Sequence, residues 1–317
     1  MKKQINILII GFGSVGKRHY QNLAKLGYTN VSVFDVDKKS ISDIPRSFSD
    51  IKDVDFSEFR VVFVCSPNHM HMASAISAGK AGCHLFIEKP LAHKMREARQ
   101  LSELCEKQKL VTLVGCNLRF HPCLSFIKTY LEQKRLGAVY GIHHEAGYYL
   151  PFWRKGTDYR QNYGARKATG GGIILDGIHE FDLLFWLNDF APVKESKFLF
   201  GKSGKLDIDT EDNSIASFIF QNGVLGSVRS DYLQQRYNRN CKVVGEKGNL
   251  FWDFTENIVW FETDGKRKKL FEAKGYDIND MYRDEIAYFL RCVAQKKPTH
   301  NEVGRALTVF RYCIERK

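Results

Sequence analysis

Residues Ile5 to Ile10 form an unbroken aliphatic run bounded by glycine, the pattern of a central parallel strand buried on both faces. After the glycines, Val15, Leu23 and Leu26 recur at roughly helical spacing until Gly27 stops the pattern, so a helix follows the strand. Val31–Phe34, ending at Asp35, and Val61–Cys65, followed by Ser66-Pro67-Asn68, read as two more strands. Helical segments at about 69–79 and 93–107 alternate with strands His84–Ile87 and Leu110–Gly115. This alternation predicts a doubly wound parallel sheet, an α/β domain over residues 1–117.

Beyond Pro122 the grammar changes. A helical pattern at about 123–135 leads into an extended stretch, Ala138–Tyr149, then an irregular aromatic and basic segment, then a helix around 171–188. Strands follow near 193–201, 214–221, 224–232, 239–245, 248–254, 257–262 and 267–273, punctuated by turn signals such as Gln221-Asn222-Gly223 and Asp264-Gly265. Such a series predicts an antiparallel meander in a second, α+β domain over 118–317. Helical patterns at about 279–295 and 302–315 are grouped with that domain, and Ile286, Phe289, Leu290 and Val293 form one apolar stripe.

A length of 317 residues suits two domains, and 44% apolar with 26% charged residues is ordinary for a globular chain. The net charge of +12 raises the question of an anionic partner. Its densest cluster, Lys266-Arg267-Lys268-Lys269, reads as a solvated hairpin tip, and no basic helix with interleaved aromatics accompanies it, which argues against nucleic acid. The eight cysteines show neither Cys-x-x-Cys pairs nor zinc spacing and read as core thiols, so no metal is expected. The apolar run at the start is too short for a signal peptide, and nothing approaches the length of a membrane helix, so the cytoplasm is the expected location.

Gly11-Phe12-Gly13-Ser14-Val15-Gly16 joins the first strand to the first helix, the context in which Gly-x-Gly-x-x-Gly cradles a dinucleotide pyrophosphate against a helix N-terminus. Asp35, 24 positions after Gly11, is placed to hydrogen-bond the adenosine ribose and to repel a 2′-phosphate, so NAD is expected over NADP, with Lys38 and Lys39 as softening charges. Ser66, Pro67, Asn68 and His71 follow another strand, where cofactor contacts or plain helix caps are both at home. Glu88-Lys89-Pro90 ends a further strand with a lysine that can aim its ammonium at a bound cofactor. The last strand of the first domain runs into Asn117, Arg119 and His121, an unusual density of polar groups. Three glycines, Gly170 to Gly172, introduce the helix carrying Asp176, His179, Glu180 and Asp182. On a continuous helix Asp176, His179, Glu180 and Leu183 share one face. An aspartate and a histidine so placed can bind an alcohol and exchange its proton.

Taken in order, GFGSVG, SPNHMH, EKPLA, VGCNLRFHP and GGGIILDGIHEFD resemble the glucose-fructose oxidoreductase / inositol dehydrogenase family over nearly the whole chain. The resemblance implies an N-terminal Rossmann domain and a C-terminal domain with an open, mostly antiparallel sheet whose free face forms homodimers or homotetramers. It implies NAD(P)-dependent hydride transfer to or from a secondary alcohol of a sugar, a sugar derivative such as a nucleotide sugar, or a polyol. Lys89 matches the family's catalytic lysine, with the Lys89-Pro90 bond cis, and Asp176 and His179 match the pair that engages the reacting hydroxyl. Many relatives place that histidine four residues after the aspartate; here the interval is three and Glu180 fills the fourth position, while His179 and Asp182 keep the family's His-x-x-Asp interval. The segment Tyr148 to Arg160 resembles a branch associated with cell-surface sugars, which adds Trp153 and Arg160 to Asn117, Arg119, Asp176 and His179 as expected substrate contacts. The alternative is a catalytically silent NAD(P)-binding sensor or scaffold, for which the intact Lys89 and His179 serve no physical need.

Overall fold

Continuous β-branched and aliphatic runs build the first sheet of the computed structural model, which describes residues 4–153 and 156–316. The sheet comprises β1 (Ile7–Ile10), β2 (Val31–Phe34), β3 (Ser47–Phe48), β4 (Val61–Val64), β5 (His84–Glu88) and β6 (Thr112–Gly115). All pairings are parallel and the spatial order is β3-β2-β1-β4-β5-β6. Helices α1 (Ser14–Lys25), α2 (His71–Lys80) and α3 (Met95–Lys107) connect the strands. Every residue of β1, β2, β4 and β6 is buried, which is why these strands show no polar alternation. The two-residue edge strand β3 has no counterpart in the hydrophobic pattern.

In the second unit, α4 (Pro122–Glu132) precedes β7 (Val139–Gly147), followed by the short helices α5 (Leu150–Trp153) and α6 (Ile173–Asp176) and the longer α7 (Ile178–Leu187). Seven strands complete it: β8 (Val193–Gly201), β9 (Asn213–Phe220), β10 (Leu225–Asp231), β11 (Asn238–Gly245), β12 (Gly248–Asp253), β13 (Ile258–Thr263) and β14 (Lys266–Glu272). Their order is β14-β13-β12-β11-β7-β10-β9-β8, antiparallel except for the β7–β10 pair. The sheet is therefore mixed and mostly antiparallel, as the turn signals imply. One face packs under helices. On β9, Ser214, Ala216, Phe218 and Phe220 are buried while Ile215, Ser217 and Ile219 are exposed, so the opposite face is open.

Helices α8 (Ile278–Gln295) and α9 (Val303–Glu315) end the chain. The sequence pattern groups them with the second domain, and the structure corrects this. One compact unit comprises the residues up to Asn117 together with Ile278–Arg311, and the other comprises Leu118–Asp277 and the end of the chain from Tyr312. The physical reason is the apolar stripe of α8. Ile286, Phe289, Leu290 and Val293 lie in the same buried cluster as Ile7, Ile9, Val61, Phe63 and Phe86 of the parallel sheet. Each such side chain contributes about 1.5–3 kcal/mol by leaving water. Among the described residues no strand pairs beyond β6; at that edge Asn301 donates from Nδ2 to the Val114 carbonyl at 2.7 Å and accepts the Val114 N–H at its own carbonyl at 2.9 Å. Among the described residues no helix is long and apolar enough to cross a membrane.

Candidate active site

In the first unit the chain reverses its direction of sheet growth between β1 and β4, so the loops at their carboxyl ends part around a crevice, the usual ligand site of such sheets. Those loops are packed to the limit. Gly11, with φ +91°, lies so close to the β4 loop that a Cβ would come within 2.6 Å of the Ser66 nitrogen, and a Cβ on Gly16 would meet the Gly11 carbonyl at 2.0 Å. A Cβ on Gly13 meets nothing within 4 Å, and α1 starts at Gly13 without a side-chain cap. The glycine turn thus presents N–H groups to open space, and this arrangement fits a pyrophosphate. The Phe12 side chain is buried in the core, so only its backbone belongs to the turn; its N–H donates to Asp35 Oδ2 at 2.5 Å. Asp35 Oδ1 accepts from the Asp37 N–H at 2.9 Å, which fixes the carboxylate at the end of β2.

At the carboxyl end of β5 the Lys89-Pro90 bond is cis. Glu88 Oε1 accepts from His19 Nε2 at 2.6 Å, and the His19 ring is fully buried against Phe86 and Phe63. Glu88 also lies against Gly115 of β6, where a Cβ would stand 3.3 Å from its carboxylate. Tyr282 of α8 packs on His19, and its phenol is pushed up by burial and by the charge of Glu88, with Lys89 acting in the opposite sense. Lys89 is partly exposed beside these anchored groups. His71 departs from expectation. Its ring nitrogens stand 2.7 Å from the Ser66 carbonyl and 3.1 Å from that of Pro90, and it is 2% exposed. It staples the β4 and β5 loops together, and burial lowers its pKa; the ring is not offered to a cofactor. Ser66 is partly exposed, Pro67 exposed, and Asn68 and Asn117 buried at the ends of their strands' loops.

In the second unit the expected continuous helix is broken at Gly177 into α6 and α7. From Gly170 to Asn188 every side chain is buried except Asp176 and His179, which are partly exposed on either side of that break. Gly172, with φ +108°, brings the chain so close to Glu211 that a Cβ would lie 2.4 Å from its carboxylate. Glu180 does not share an exposed face with His179. It is buried and paired with Arg239 at 2.7 Å, so of the two neighbouring positions only the histidine is presented.

Asp176 is surrounded by phenols. Tyr148 donates to Oδ2 at 2.5 Å, Tyr232 to the same oxygen at 3.3 Å, and Tyr163 to Oδ1. Trp153, 49% exposed, stacks on Tyr148 with ring centroids 4.2 Å apart and on Tyr237 at 5.8 Å, which places an aromatic face beside the Asp176 cluster. Two other expected substrate contacts are corrected. The Arg119 guanidinium is fully buried, bound bidentately to Asp182 at 2.7 and 2.6 Å and faced by Trp186 and Phe190, so it holds the fold and no ligand. Arg160 is exposed, and its guanidinium is folded back on Asp158 at 2.8–3.0 Å. Arg154 and Lys155 of the same segment lie outside the described residues. His19, Tyr163 and Tyr232 escape the sequence reading because only tertiary packing joins them to Glu88 and Asp176.

The glycine turn that fits a pyrophosphate, with Asp35 fixed at the end of β2, fits the class of a nicotinamide-dependent oxidoreductase. The family model of oxidoreductases with an NAD-binding Rossmann fold matches residues 5–116, and that of the GFO/IDH/MocA C-terminal domain matches residues 125–251; the chain belongs to the GFO/IDH/MocA family. Myo-inositol 2-dehydrogenase of Thermotoga maritima is 24% identical over 338 residues, which span 98% of this chain and 96% of that protein. Among solved structures, levoglucosan dehydrogenase in complex with NADH superposes with a TM-score of 0.88 at 18% identity, covering 99% of this chain and 97% of that one. UDP-N-acetylglucosamine 3-dehydrogenase GnnA from Acidithiobacillus ferrooxidans does so at 0.80 with 21% identity, covering 98% and 96%.

Proposed function

We propose that the protein transfers a hydride between NAD and a secondary alcohol of a sugar, a sugar derivative including nucleotide sugars, or a polyol. The observation that carries this reading is the place of Lys89, partly exposed one residue past the carboxyl end of a parallel strand whose last residue, Glu88, is held by His19. Bound NAD supplies the hydride acceptor. In the oxidative direction His179 takes the hydroxyl proton, and the Lys89 ammonium stabilises the developing alkoxide. Trp153 offers a flat apolar face suited to a sugar ring. Asp35, held at the end of β2, supports a preference for NAD, and the roles of Asn68 and Asn117 in binding cofactor and substrate are part of the same proposal.

Incubating the protein with NAD and a broad panel of sugars, polyols and nucleotide sugars tests the reading. At least one member should produce NADH fluorescence; NADH binding without turnover across the panel would favour a silent sensor. With the active substrate, kcat/KM should be higher for NAD than for NADP, and Asp35→Ser should narrow or reverse the ratio.

The open sheet face supports a homo-oligomer. Leu199, Ile215, Ile219 and Leu225 are exposed there, with Leu199 opposite Ile215 and Leu225 opposite Ile219 in register. Such a patch suits a homodimer or homotetramer formed through this face. Ile215→Lys combined with Leu225→Lys should reduce the mass measured by light scattering to that of one chain. The eight free thiols, seven of them buried, suit a reducing compartment, and the cytoplasm is the proposed location.

A further inference from the structure

Three tyrosine hydroxyls on one carboxylate exceed what holding a loop requires, and the topology shows how they are gathered. Tyr148 and Tyr232 are the residues next after Gly147 and Asp231, which face each other in the β7–β10 pairing, the single parallel pair of the second sheet. Their rings lie 5.4 Å apart. Tyr163 comes from the short helical turn Tyr163–Ala165, which the three-glycine run packs against: Gly172 donates to the Gly164 carbonyl at 3.0 Å. All three groups point at Asp176, and they occupy three of the roughly four lone-pair directions a carboxylate offers.

We propose that Tyr148, Tyr163 and Tyr232 are positioning residues for Asp176: they hold its carboxylate in one orientation and in the ionised form, so that Asp176 serves as a fixed negative charge beside His179 and not as a proton carrier. The functional consequence rests on the hydride-transfer reading; the cage itself does not. Tyr148 and Tyr232 are held protonated, their phenols pushed well up by burial and then by the charge of Asp176, so each acts as donor only. Hydrogen bonds to the charged form of a carboxylate favour that form. Other charged and titratable groups near the cluster include Glu211 near Tyr232 and Arg239, which is near Tyr148 and Tyr237 and paired with Glu180; His179, partly exposed, follows Asp176 by three residues. A fixed anion of this kind keeps the neighbouring imidazole oriented and eases its protonation when it receives the alcohol's proton.

The test is a pH titration of the full-length protein without ligands, following side-chain carboxyl carbons by NMR after labelling with carbon-13 aspartate; the Asp176 signal is identified by its loss in Asp176→Asn. In the unmodified protein it should titrate below the ordinary aspartate range of about 3.9. Tyr163→Phe, which keeps the ring and removes one donor, should raise the midpoint by about one unit, and Tyr148→Phe by a similar amount. An Asp176 midpoint unmoved in Tyr163→Phe, or one at or above the ordinary range in the unmodified protein, would overturn the proposal. Should Tyr148→Phe fail to fold, the partly exposed Tyr163 carries the test alone. Because no turnover is measured, failure of the cage is distinguishable from failure of the hydride-transfer reading, which the sugar panel reports.

Discussion

Arg119 and His179 show how far a single residue's role follows from its type and neighbours. Both stand in polar, ligand-like stretches of sequence, yet the arginine is sealed with Asp182 and the histidine is presented. Removing one member of a buried ion pair leaves an uncompensated charge, so Arg119→Met should cost about 3–5 kcal/mol of stability. The double change Arg119→Met with Asp182→Leu should recover most of that loss in denaturant melts. A single mutant of normal stability but impaired substrate KM would restore Arg119 to the site. The placement of the glycine turn, Asp35 and Lys89 at the ends of parallel strands is legible because each sits directly after its strand in the chain. Asp176 was legible as a polar residue after three glycines; its phenol partners were not, since Tyr163 and Tyr232 carry no local signal and reach it only through the fold.

At the level of elements, the helices and strands follow the hydrophobic pattern closely, and the deviations have local causes. Gly177 breaks the predicted helix where the chain passes Ser230, whose Oγ would lie 3.1 Å from a Cβ there. His121 illustrates an element end that depends on pH. It caps α4 by accepting the Cys123 N–H at Nδ1, pairs through Nε2 with Asn257, and burial pushes its pKa from 6.5 down to about 4. His144 on β7 is pushed down to about 3, by burial and then by His143 and Arg239. Both groups bind protons more readily in the unfolded chain. Their contribution is therefore complete above about pH 6.5 and is lost as pH falls towards the folded values, by up to about 1.4 kcal/mol per pH unit for each. Denaturant melts between about pH 7 and about pH 5 should show this decline, and His121→Asn, which retains a capping side chain, should reduce its slope by roughly one proton. A stability independent of pH over that interval would contradict the burial argument.

For the whole molecule, the notable departure from the sequence pattern is the return of α8 to the first unit. Periodicity revealed an apolar stripe but not the surface it covers, because a stripe of Ile286, Phe289, Leu290 and Val293 fits any apolar groove of suitable length. Residues 1–117 expressed alone should accordingly lack a cooperative unfolding transition, and joining them to 278–311 should restore one. The proposed role of Lys89 is to serve hydride transfer from a sugar alcohol to NAD. Its most direct test is transfer of deuterium from the carbinol carbon of the active sugar to NAD, measured by mass spectrometry in a single turnover for the unmodified protein and for Lys89→Met. Deuterated NADH is expected from the former and none from the latter, with NADH binding preserved in both; transfer at a nearly normal rate by Lys89→Met would remove the lysine from the chemistry.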